Sequence, residues 1–329
     1  MHAGSDEERQ SVFRARGGVG YMYFAVDPAK PGVPERILAT LCQLREQHPS
    51  AKIYCYLLVD ASFERALTSS FPWRLMLEGS LYDGMRLEGL KEVAPHLLRL
   101  PDDPDRQLAW LQQLLAVCTG KPMLSILFSA IPASSLRAHF LPYLLARTDD
   151  SMEWPVRWAD TRVLPGLIAT LVPDERQHLL SPLFIWMAID RQGDVIQWAG
   201  DGNQQPESAD FDCWPLDDGR FSQLVAMAEA DAVLSQIDDR RPDLLANGRS
   251  AELHARVSRQ LVLATRHRID GAADRLHFAL LGLMHAPSLL DDSLIRSTLK
   301  QIEQGGDYRQ QLAQLPENFW AQHSQGKTA

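Results

Sequence analysis

Apolar positions change their spacing partway along this chain. Over the first two hundred residues short continuous apolar runs alternate with stretches of helical period, and beyond them helical period stands alone. Residues 53–59, 123–128 and 183–189 read as buried strands, the last joined through Asp190-Arg191-Gln192-Gly193-Asp194 to 195–199 as a β-hairpin that closes the sheet. Further strands are expected at 21–26 and 156–158. A helix is expected over 34–47, with Ile37, Leu38, Leu41 and Leu44 on its apolar side. Asp103-Pro104 supplies an N-cap followed by proline in the first turn; Leu108, Leu111, Leu115 and Cys118 then share one face, and Gly120 is the stop. Another helix starts at Ser134 or Ser135 and runs to Leu145, kinked by Pro142. From residue 219 on, helices are expected at 220–237, 250–267, 272–285, 291–304 and 308–315.

The fold class implied is α+β: an N-terminal α/β lobe with a small mixed sheet and a hairpin, followed by an all-helical C-terminal lobe. Residues 1–50 form an extension or a leading βα unit, 51–200 the α/β lobe and 219–329 the helical lobe. Between the lobes, 201–218 reads as an acidic linker or long loop, since Asp201, Glu207, Asp210 and Asp212 crowd there without apolar period.

Composition narrows the function. At 329 residues with 45% hydrophobic and 23% charged residues the chain can bury a sizeable core, and its formal net charge of -9 argues against a nucleic-acid partner, which calls for a basic face. The four cysteines lie far apart, with neither zinc-site spacing nor a disulfide framework, as suits a reducing cytoplasm. The polar, acidic start is unlike a signal peptide and no apolar run is long enough to span a bilayer, so a cytoplasmic protein with no membrane partner is expected.

The densest motif is Arg157-Trp158-Ala159-Asp160-Thr161-Arg162. Asp60, at the end of a buried run, cannot remain charged in an apolar setting without hydrogen bonds or a cation. Arginine holds a carboxylate through two bonds at once, so Arg157 or Arg162 is expected to pin Asp60 or Asp160; the alternative is that the arginines face outward and grip a partner. With Ser80-Leu81-Tyr82-Asp83-Gly84, Pro95-His96-Leu97-Leu98 and Phe184-Ile185-Trp186, these segments resemble the adaptor (chaperone) family of the bacterial type VI secretion system. The matching family positions are Asp60, Pro95, Arg157, Asp160, Arg162 and, more loosely, Trp186; Ala61 stands where the family has glycine and Thr161 where it has proline. The resemblance implies non-enzymatic work, in which a toxic effector is bound and loaded onto a VgrG-type spike protein.

A second feature lies in the helical part. Arg249, Arg256, Arg259 and Arg266 fall on one side of the expected helix beside an apolar stripe of Leu253, Val257, Leu261 and Ala264. Such a face either docks an acidic partner or is solvated and paired with the chain's own acids. No hydrolase elbow, phosphate loop or metal motif is present: the glycines of residues 16–21 lack the dinucleotide spacing, and His277 and His285 stand about 12 Å apart along a helix. No cofactor is expected. Two other readings stay open: an immunity protein that blocks a toxin, and a hydrolase using Asp60, Asp160 and His96 or His139 between the lobes.

Overall fold

The computed structural model describes residues 23–323 other than Asn247, Ala286 and Glu317. The glycine cluster at 16–21 therefore lies outside the described residues, and of the strand expected over 21–26 the described part, from Tyr23, has no regular structure. Two compact units emerge, one formed by Val26–Glu229 and the other by residues 230–323 with 23–25.

The first unit is built on a sheet. In chain order it contains α1 (Val33–Gln47), β1 (Tyr54–Asp60), α2 (Ala66–Ser69), β2 (Leu77–Ser80), β3 (Pro95–Arg99), α3 (Pro104–Val117), β4 (Leu124–Ser129) and α4 (Ala133–Phe140). After these come β5 (Leu145–Arg147), β6 (Glu153–Pro155), α5 (Leu164–Thr170), α6 (Pro173–Leu180), β7 (Leu183–Ile189), β8 (Val195–Ala199), β9 (Trp214–Pro215) and the start of α7 (Asp218–Arg240). Six strands pair in the order β2-β3-β1-β4-β7-β8, and every pairing is antiparallel. The alternation of strands and helices expected from the sequence thus does not produce parallel neighbours. Mixed pairing is confined to a small second sheet, β6-β5-β9, in which β5 is antiparallel to β6 and parallel to β9.

Strand periodicity explains why the central strands are apolar throughout. Successive side chains point to opposite faces, and both faces here are covered. Cys55, Leu57 and Val59 of β1 pack with Ile126 and Phe128 of β4 against Ile37 and Leu41 of α1 and Leu111 and Leu114 of α3. Their neighbours Tyr56, Leu58 and Leu127 face the other way, into a core with Leu136, Phe140, Trp158, Leu164, Trp186 and Trp214.

Three local expectations are corrected. The helix after Pro132 ends at Phe140: Pro142 sits in a 3-10 turn, Leu141–Tyr143, and the chain then enters β5. The short strand is Glu153–Pro155 instead of 156–158, which frees Trp158 to turn inward and donate its indole N–H to the carbonyl of Tyr143 at 2.7 Å. The stretch 201–218 carries buried Cys213, Trp214 and Leu216, with Trp214 paired across to Ala146, so its end belongs to the sheet unit; the units divide at Glu229/Ala230, within α7.

The second unit holds the rest of α7, α8 (Ser250–Arg266), α9 (Ala272–Met284), α10 (Ser293–Glu303), α11 (Tyr308–Ala313) and α12 (Phe319–His323). Leu253, Val257 and Leu261 of α8 pack with Val233, Leu234 and Ile237 of α7 and with Leu276, Ala279 and Leu283 of α9. One turn later Ala264 joins Phe278, Ile295, Leu299 and Leu312. Asp292 and Asp307 cap α10 and α11 by accepting from the backbone N–H groups of Leu294 and Gln310. No described helix is long and apolar enough to cross a membrane.

Candidate functional site

Antiparallel register brings Asp60 and Pro95 of the motif to one end of the sheet. Asp60 is the last residue of β1 and stands directly opposite Pro95, the first residue of β3. Its backbone N–H donates to the carbonyl of Met123, just ahead of β4, and that of Ala61 donates to Ala94. The Asp60 side chain is therefore held where three strands begin or end, 3% exposed.

Arg157, Asp160 and Arg162 arrive on the turn between β6 and α5. One oxygen of Asp60 accepts from Nη2 of Arg157 at 2.8 Å and Nε at 3.3 Å, while the other accepts from the backbone N–H of Ser62 at 2.9 Å. Arg157 Nη1 lies 3.5 Å from Asp160, whose two oxygens are forked by Arg162 through Nε at 3.0 Å and Nη2 at 2.7 Å. The result is a chain of alternating charge, Asp60, Arg157, Asp160, Arg162, with both carboxylates buried and neutralised. Phe63 lies under the guanidinium groups, at 4.9 Å from Arg157 and 5.7 Å from Arg162. The backbone N–H of Thr161 donates to Pro122 and fixes the turn against the strand ends. Both pairings left open by the sequence are made at once, one per arginine.

This arrangement does not favour acid–base chemistry. Each carboxylate accepts from a guanidinium and from backbone, and the two histidines considered with them are bound elsewhere. His96 faces the carbonyl of Ala94 through Nδ1, and burial pushes its pKa down. His139 meets the carbonyls of His178 and Leu179 through Nε2 and stacks on the His178 ring at 4.7 Å; burial, and secondarily the charge of His178, lowers its pKa to about 4. Beside the cluster the Tyr82 hydroxyl is pushed up by burial and by the charge of Asp60. Among the described residues no group of acids, histidines and cysteines is placed to hold a metal ion.

Trp186 is not part of this cluster. It lies in the middle of β7, fully buried, with its indole N–H on Ser125 Oγ at 2.9 Å and its ring 5.5 Å from Phe140 and 6.0 Å from Trp158. Its link to the motif runs through the neighbouring Trp158, which also meets Trp214 at 5.9 Å. Sequence reading missed Phe63 and a second polar network: the Tyr143 hydroxyl at 2.8 Å from His178 Nδ1, His178 Nε2 on the carbonyl of Glu207, and Glu175 accepting from Trp214 and Arg220. No spacing signal marks residues so far apart in sequence.

The four arginines of the helical unit fare differently. Arg249, just ahead of α8, pairs with Glu252 at 3.5 Å, and Arg266, the last residue of α8, is exposed. Arg256 donates to the backbone carbonyl of His285 at 2.8 Å, and Arg259 projects from the surface one turn further on. The apolar stripe expected beside them is buried.

Residues 55–178 match the family model described as Domain of unknown function (DUF4123). That span starts within β1, ends within α6 and takes in Asp60, Pro95, Arg157, Asp160 and Arg162, but stops short of Trp186 and of the helical unit. No curated protein and no solved structure matches the chain.

Proposed function

We propose that this chain is a non-enzymatic adaptor that binds a type VI secretion effector and loads it onto a VgrG-type spike protein. The observation that carries the reading is the match of residues 55–178 to a family associated with such adaptors, with the motif arginines and aspartates falling inside it. The chemistry of the cluster supports it: the charged residues neutralise one another and fix strand ends, leaving partner recognition to other surfaces. Since a buried ion pair is weak evidence of added stability, the role we infer for this cluster is to specify how the elements meet.

An adaptor works by linked binding, two partners held on two surfaces of one body, with Trp, Tyr and Arg as the expected anchors. The test is to co-purify the tagged chain with the spike-tip protein and with the candidate toxin, each alone, while assaying the toxin. Capture of both with toxin activity retained is the expected result. Capture of the toxin alone with its activity abolished overturns the adaptor reading in favour of immunity.

A further inference from the structure

Between α8, α9, α10 and α11 the helical unit leaves a recess of about 180 Å³. Leu263, Phe278, Leu281, Leu289, Ile295 and Leu312 supply apolar walls, and Arg256 and the exposed Arg259 also line it. An apolar cavity of about 150 Å³ is large enough to take a benzene-sized group. The recess thus suits one leucine or aromatic side chain.

The two arginines give the recess its charge. Arg256 and Arg259 are three residues apart on one helix and so are neighbours on its surface. Arg256 spends one donor on a backbone carbonyl, and neither guanidinium has a carboxylate partner among the described residues. Burial, and secondarily the nearby charge of Arg259, lowers the Arg256 pKa. Val262, exposed on the same helix, lies one turn from both Arg259 and Arg266 and extends the apolar surface between them.

We infer that this recess is the docking site for an acidic amphipathic segment of a partner protein, with an apolar side chain inserted between α8 and α10 and a carboxylate held by Arg256 and Arg259. Charge complementarity supplies the direction and the recess supplies the anchor, as in helix-in-groove recognition. The inference rests on the adaptor reading only in taking the occupant to be a protein.

The test uses the full chain and two fluorescein-labelled synthetic helical peptides, both with leucines at i, i+3, i+4 and i+7, one flanked by glutamates and the other by lysines. Fluorescence anisotropy is expected to show binding of the acidic peptide alone. Arg259→Glu should weaken it by about tenfold or more, the loss of one charge-assisted contact, and shift preference toward the lysine peptide. Leu263→Trp, which fills the recess, should abolish binding with the helical circular dichroism retained. Equal affinity for both peptides, binding insensitive to both substitutions, binding of neither peptide, or capture of decanoate but no peptide would each overturn the site. Because the assay contains neither toxin nor spike, its failure is separable from failure of the co-purification.

Discussion

Arg157 and Arg162 hold neighbouring aspartates but see different amounts of water, 44% exposed against 15%. Removing Arg162 leaves Asp160 buried with its best partner gone, so Arg162→Ala should cost about 3–5 kcal/mol, read as a lowered urea midpoint at unchanged slope. Arg157→Ala should cost less, about 1–3 kcal/mol, because water can reach the vacated place beside Asp60. Equal losses would mean that Arg157 is as sequestered as its partner. The cysteines sort by the same logic of burial. Cys42 is exposed, whereas burial pushes the thiols of Cys55 and Cys118 up to about 12. A thiol reagent should therefore label one cysteine, Cys42, promptly in the native protein and the others only on unfolding, as peptide mapping would show.

Elements respond to pH and to backbone space. His139 on α4 is held neutral against α6, with a folded pKa of about 4 below an unfolded value near 6.5. Between those values the unfolded chain binds the extra proton, so stability is full above about pH 6.5 and falls as pH drops toward 4, by up to about 1.4 kcal/mol per unit. His96 and His277 are shifted in the same direction by burial and add to the slope. His139→Gln should flatten the dependence of the urea midpoint on pH between 7 and 5; an unchanged slope would assign it elsewhere. In the β7–β8 hairpin, Gly193 has φ +79, and a Cβ there would lie 2.1 Å from the carbonyl oxygen of Pro28. Its own carbonyl accepts from Lys30, tying the leading segment to the turn. Gly193→Ala should thus destabilise by more than about 1 kcal/mol, measured by thermal melting.

Legibility in the sequence also divides at this scale. Helices with a single buried stripe, such as α1, α8 and α9, and the β7–β8 hairpin were readable because period and turn residues are local. The strands β2 and β3 and the antiparallel order were not, since pairing of Asp60 with Pro95 or Leu127 with Trp186 is a long-range choice that leaves no local mark. The expected helix through Leu145 failed because Leu141, Leu144 and Leu145 keep an apolar run going after Pro142 has stopped the helix. The charged cluster was legible in composition, as carboxylates that need arginines, yet which arginine held which aspartate depended on a turn the sequence does not specify.

Over the whole molecule, a net charge of -9 coexists with two neighbouring arginines on one helix, so the acidic partner inferred above would approach them against the general field. Association through them should slow as salt is raised. The sheet unit offers its own surface, and an adaptor needs both surfaces occupied together. The most direct measurement is light scattering on a gel-filtered mixture of the chain, the spike-tip protein and the toxin. The account predicts a single species whose mass is that of all three components bound together; two separate binary complexes that compete for the chain would contradict it.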